Sequence, residues 1–178
     1  MYFWLKVTKN IGEARHFMSG LDWNGATEDI SAGAKYLISL GCRKVGVMGF
    51  CMGGALSFAA AVLSQNISAA APFYGIPNKT VADLLQIRIP VQSHFGELDT
   101  AVGFSSPAEY NALNETLAKA GVPHKMYTYH AGHGFTNVNS QRYSSEATKL
   151  AMSRVYEFMQ KHLWDAKNWF VLWVNSDI

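Results

Sequence analysis

One stretch restricts the folds open to this chain more than any other: Lys44-Val-Gly-Val-Met48, followed at once by Gly49-Phe-Cys-Met-Gly-Gly54. The apolar run has no polar alternation, which is the pattern of a strand buried on both faces, as in a parallel sheet. Residues 53–63 are rich in Ala and Leu and read as a helix packed on that sheet. A buried strand that turns through glycines into an apolar helix is a strand–helix unit. Such units build layered α/β architectures.

The rest of the chain continues the alternation. Residues 27–40 read as a helix with Ile30, Ala34, Leu37 and Ile38 on one face, Thr27 or Asn24 as its cap and Gly41 as its stop. Strands are expected at 67–74, at 90–95 and at 125–130, where apolar and polar residues alternate. Short and longer helices are expected at 81–85 and 107–120, the latter with Pro near its start and Gly121 at its end. A long helix is expected at 144–162, with Leu150, Val155, Phe158 and Met159 among its buried positions. Strand and helix in strict succession predict a mostly parallel sheet with helices on its faces. No internal repeat, low-complexity tract or linker interrupts the pattern. Residues 164–178 stand apart: they are aromatic, show no clear period, and leave open whether they pack on the domain.

Composition excludes several function classes. The chain is 49% hydrophobic and 16% charged, which favours a packed core over disorder. Its net charge of +2 is spread without a basic stripe, so no nucleic-acid partner is expected. Two cysteines, Cys42 and Cys51, make no disulfide framework and fit a reducing compartment. Residues 1–6 are apolar but too short for a signal peptide, with no basic n-region and no full apolar h-region, and the apolar run 169–174 is too short to span a bilayer. A cytoplasmic protein with no membrane association is the expectation.

The glycine turn carries the chemistry. Gly49-x-Cys51-x-Gly53 between a strand and a helix is the context in which a nucleophile is held on a sharp turn. Glycines on either side remove Cβ atoms that would clash with neighbouring backbone. The side chain then stands at a helix N-terminus, where backbone N–H groups and the helix dipole favour negative charge on sulfur. The Met52 N–H is placed to donate to an oxyanion. The plainer alternative is that Cys51 is an ordinary buried core cysteine.

Two further residues support the reactive reading. Asp99, in Gly96-Glu-Leu-Asp99, follows the strand 90–95 and so lies on the rim where parallel sheets bind ligands. It is suited to accept from a histidine, with Glu97 as its competitor. His133, in Ala131-Gly-His-Gly-Phe135, follows the strand 125–130 and is suited to move the thiol proton. His130 is its rival, but is expected to belong to the strand. His94, Glu97, Asp99, His130 and His133 are all metal-ligand types. However, His94 and His130 fall within expected strands, and no paired-ligand motif is present, so no metal is expected. Cys42 follows a helix end and reads as structural.

With the order nucleophile, acid, histidine, the chain resembles α/β-hydrolases, and more narrowly the dienelactone hydrolase (carboxymethylenebutenolidase) family. The resemblance rests on Gly-Phe-Cys51-Met-Gly-Gly, Pro72-Phe-Tyr74-Gly75, Gly96-Glu-Leu-Asp99 and Ala131-Gly-His133-Gly-Phe135, and covers about residues 27–163. It implies a three-layer sandwich and a Cys51–His133–Asp99 hydrolase acting on ester or lactone bonds through a thioester acyl-enzyme. It implies a cofactor-free monomer with a small-molecule substrate, and a pocket that includes Met52, Tyr74 and Phe135. Two departures stand out. Family members carry a longer N-terminal section with several strands, a glutamate touching the resting cysteine and a second oxyanion donor. Here 50 residues precede Cys51, and 1–18 do not read as those strands. Dienelactone-specific members also place an arginine shortly after the histidine, where this chain has Thr136-Asn-Val138.

The expected organisation is an N-terminal segment (1–26), a hydrolase-like domain (27–163) and an atypical tail (164–178). The expected sheet lacks its N-terminal strands, and its open edge is a route to a dimer. Two other readings remain: a shortened, non-catalytic remnant, and a binding module that uses the same cleft for a small acyl ligand.

Overall fold

The computed structural model describes residues 18–164 and 169–174 of the 178-residue chain. The first long helix, α1 (Trp23–Ser39), starts four residues before the expected position. The reason is its cap. Asp22, not Thr27 or Asn24, accepts from the Gly25 N–H at 3.0 Å. Ile30 and Ala34 are buried, whereas Ile38 is exposed because the inward face drifts away from it along the helix.

The chain then runs through β1 (Lys44–Phe50), α2 (Met52–Leu63) and β2 (Ala69–Phe73). The segment expected as a short helix at 81–85 forms only the 3-10 turn Leu84–Gln86, started by Asp83 accepting from the Leu85 N–H. After it come β3 (Val91–Gly96), α3 (Pro107–Ala120), β4 (His124–Tyr129) and α4 (Ser145–Leu163). Ser144 caps α4 by accepting from the Ala147 N–H at 3.3 Å. Val155, Phe158 and Met159 face the core, but Leu150 lies on the solvent side. Last comes β5 (Trp169–Val174), drawn from the segment whose packing the sequence left open.

Among the described residues, five strands form one parallel sheet, in the order β4-β3-β2-β1-β5. β2, β3 and β4 are added outward on one side of β1, and β5 then crosses to the other side. The order therefore reverses at β1, and in open parallel sheets the ligand crevice forms outside the strand ends at such a reversal. The register brings the strand ends level: Phe50 pairs with Phe73, Gly49 with Val174, and Gly96 with Tyr129. The core lies on both faces of this sheet, with α2 buried almost throughout from Met52 to Ala61. Among the described residues, no helix is long and apolar enough to cross a membrane. Residues 1–6, and most of 1–18, fall outside the described residues.

Candidate active site

The turn from β1 to α2 places Cys51 in the left-handed region, at φ 52° and ψ −117°. A non-glycine residue there costs about 1–3 kcal/mol and persists only where its surroundings fix it. The close approach of neighbouring backbone does so. A Cβ on Gly49 would overlap the Gly53 carbonyl, and one on Gly53 would overlap the Val174 carbonyl at the end of β5. The Cys51 N–H donates to the Phe73 carbonyl at 3.1 Å, and the Cys51 carbonyl accepts the Ala55 N–H at 3.1 Å. These contacts tie the turn to β2 and start the helix. Met52 follows as the first residue of α2, where backbone N–H groups have no acceptor within the helix.

His133 comes from the loop after β4. Its Nε2 lies 3.2 Å from Cys51 Sγ, and its Nδ1 lies 2.8 Å from Asp99 Oδ2. Asp99 sits on the turn after β3, almost fully buried. Its Oδ1 accepts the Ala101 N–H at 2.9 Å. The three strand ends thus bring sulfur, imidazole and carboxylate into one line.

The surroundings charge this line. Burial alone would lower the His133 pKa. The Asp99 hydrogen bond, the Cys51 hydrogen bond and the charges of both partners outweigh it and raise the value to about 9. Burial alone would raise the Asp99 pKa, but it is overridden by the bond from His133, the Ala101 N–H, the His133 charge and Ser105, so Asp99 titrates below 3.8. Both shifts favour the charged forms, an imidazolium held against a carboxylate.

The rival residues go elsewhere. Glu97 is exposed and accepts from Thr128 Oγ1 at 3.1 Å. His130 lies one residue past the end of β4, not within it, because the last ladder position belongs to Tyr129. Its ring is in solvent, 3.5 Å from Glu97. His94 is fully buried in β3, bonded to Tyr129 and Gln92, and its ring stacks on Phe73. Among the described residues, no cluster of three or more His, Cys, Asp or Glu is arranged to hold a metal ion.

Two aromatic residues support the histidine. Tyr74, at φ 33°, sets its ring edge-on to His133 with centroids 5.1 Å apart, and its hydroxyl lies 2.6 Å from Thr136 Oγ1. Phe135 is fully buried with its ring 5.4 Å from Tyr74. It forms the floor behind the site, not an open wall. Three contributors have no sequence signature. Ser105 Oγ donates to Asp99 Oδ2 at 2.8 Å, Arg142 Nε donates to the His133 carbonyl at 2.8 Å, and Phe104 packs against the His133 ring. Ser105 belongs to a Ser-Ser-Pro run that reads as an ordinary helix cap, so only its position identifies it.

The chain matches the dienelactone hydrolase family over residues 1–163. It is 36% identical over 97 residues to protein usf of Aquifex pyrophilus, covering 53% of this chain and 41% of that one. It is 30% identical over 118 residues to a carboxymethylenebutenolidase of Pseudomonas putida, covering 65% of this chain and 48% of that one. The chain spans about half the length of the curated relatives it matches. A Klebsiella pneumoniae crystal structure described as a dienelactone hydrolase superposes with a TM-score of 0.74 at 19% identity, covering 88% of this chain and 69% of that one. Thermogutta terrifontis esterase 2, phosphorylated by paraoxon, superposes with a TM-score of 0.61 at 20% identity, covering 82% and 65%. At such identities the structural likeness establishes the α/β-hydrolase fold.

Proposed function

Because the chain belongs to the dienelactone hydrolase family, we propose that it hydrolyses carboxylic ester or lactone bonds, with Cys51 as nucleophile, His133 as proton carrier and Asp99 as the group that orients His133. The observation that carries the reading is the continuous line from Cys51 Sγ through His133 to Asp99, with steps of 3.2 and 2.8 Å. Both steps are at bonding distance, and the sulfur stands at a helix N-terminus.

The steps follow from this geometry. His133 Nε2 holds the proton of the Cys51 thiol, and the sulfur attacks the substrate carbonyl carbon. The C=O bond electrons move to oxygen, which the Met52 N–H stabilises. The tetrahedral adduct collapses, the C–O bond to the leaving group breaks, and His133 donates its proton to that oxygen. A thioester remains on Cys51. Water then attacks the thioester carbonyl while His133 Nε2 takes a proton from it. The C–S bond breaks, the acid leaves, and the sulfur is left as a thiolate beside the protonated His133, as at the start. Asp99 keeps the His133 Nδ1–H pointed away from the sulfur throughout and stabilises the charged ring.

An ester and lactone assay on the wild type beside Cys51→Ala tests the proposal, with intact-protein mass measured after rapid quenching. Turnover is expected in the wild type, with a mass increase equal to the acyl group, and Cys51→Ala should show neither. Equal turnover in the two proteins would sink it.

A further inference from the structure

Phe50, next in sequence to Cys51, and the loop that follows His133 line a cleft of about 450 Å³ that the steps above do not use. Its walls come from the end of β1 (Phe50), the loop after His133 (Thr136, Asn137, Val138), α4 (Met152) and β5 (Trp173). The volume falls within the range of about 300–1,000 Å³ common to small-molecule pockets. Among the described residues, none that lines it carries an ionisable side chain.

The cleft is lined by neighbours of the Cys51–His133 pair. Phe50 is the residue immediately before Cys51. Thr136 bonds to the Tyr74 hydroxyl at 2.6 Å, and the Tyr74 ring lies edge-on to His133. The Phe50 ring in turn lies 5.4 Å from that of Trp173, and Trp173 is 61% exposed. A large ring left open to water on the wall of an uncharged cleft of aromatic, aliphatic, Thr and Asn side chains is a surface for another planar group.

We propose that this cleft is the substrate subsite, and that it takes the apolar, ring-bearing part of an uncharged ester or lactone, with Trp173 of the C-terminal strand as the residue that sets the preference. A carboxylate-bearing substrate is disfavoured. It would lose its hydration on entry and, among the described lining residues, meet Thr and Asn dipoles and no cation. The inference rests on the hydrolase reading above and deepens it.

The test uses γ-butyrolactone, its γ-phenyl derivative and its γ-carboxylate derivative, followed by acid release. The wild type is expected to show a kcat/KM for the phenyl lactone at least about tenfold above that for the carboxylate. Trp173→Ala is expected to lower the ratio of phenyl to unsubstituted turnover about tenfold, and Trp173→Phe to restore most of it. A ratio unmoved by Trp173→Ala, or a preference for the carboxylate, overturns the proposal. If Trp173→Ala fails to fold, Met152→Ala carries the same comparison. Absence of turnover with all three lactones would defeat the hydrolase reading alone. The cleft is then read by calorimetry, titrating γ-phenyl lactone into Cys51→Ala. Saturable binding that weakens about tenfold in the Cys51→Ala/Trp173→Ala double variant upholds it. No binding, or equal binding, overturns it.

Discussion

Ser105 donates its hydroxyl to Asp99 Oδ2 at 2.8 Å, the same oxygen that faces His133 Nδ1. Its Oγ is also 3.1 Å from that nitrogen, so a single buried hydroxyl braces both members of the pair. A hydrogen bond to a charged group is worth about 1.5–3 kcal/mol. Ser105→Ala is therefore expected to lower kcat by about tenfold or more, with KM little changed, since the hydroxyl touches no substrate. It should also move the pH–rate profile, because one of the groups holding Asp99 ionised is gone. Steady-state kinetics across pH check this, with Ser105→Thr expected to recover part of the loss.

The proton on His133 is held by both of its neighbours. Its pKa of about 9 owes part of its elevation to Cys51, through the hydrogen bond and through charge. Replacing Cys51 by Ala removes those two contributions and leaves Asp99 alone. The His133 ring, followed by NMR titration, is then expected to lose its proton at a clearly lower pH than in the wild type. An unchanged titration would mean that the sulfur carries no share of the proton.

Two histidines should shape stability against pH with opposite signs. His133 is raised from 6.5 to about 9, so the stability it contributes is complete below pH 6.5 and is lost as pH rises through about 9. His94 is lowered from 6.5 to about 3 by burial and by Arg154. Between those values the unfolded chain binds the proton and the folded chain does not, so stability falls as pH drops below 6.5. His162 acts in the same direction, from burial and the charges of Lys161 and Lys44. Urea unfolding at a series of pH values is expected to show a maximum near neutrality. In His94→Gln the decline between pH 6.5 and 5, where Asp99 is still ionised, should be shallower than in the wild type.

Much of the site was legible because each of its parts is local. Cys51 is marked by flanking glycines that exist only because the turn admits no Cβ, and the strand-then-polar-loop pattern located Asp99 and His133 on the rim. The helix starts at Asp22 and Ser144 were misplaced by one to four residues, since several polar residues near each start are equally good caps and only the folded geometry selects one. The contacts of Ser105 with Asp99 and of Trp173 with Phe50 are not legible in the sequence. Each joins residues that are not neighbours in the chain, and neither sits in a pattern that announces it. The run Trp169-Phe-Val-Leu-Trp-Val174 consists of good strand formers, but it lacks the alternation of a half-exposed strand, so its partner could not be inferred from period alone.

Gly53 ties that last strand to the reactive turn. A Cβ there would overlap the Val174 carbonyl and come within 3.3 Å of Val174 Cγ1. Gly53→Ala is expected to cost about 1–3 kcal/mol by overpacking, read as a lower urea midpoint, with loss of activity as the turn shifts. A larger loss than from Gly33→Ala, whose Cβ would meet only Leu172 methyl groups at 3.6 and 3.7 Å, separates this contact from a general intolerance to added volume.

Lys44 pairs with Trp169, and the ladder continues to Gly49 and Val174. On the ribosome, the strand that leads into Cys51 emerges well before its second neighbour, β5. Until β5 is made, β1 keeps one side of its backbone unsatisfied and its apolar surface unguarded, the state in which nascent chains attract holdase chaperones or stick to one another. The Cys51 turn packs against the end of β5 through Gly53, so its final shape waits on the docking of a strand made long after it.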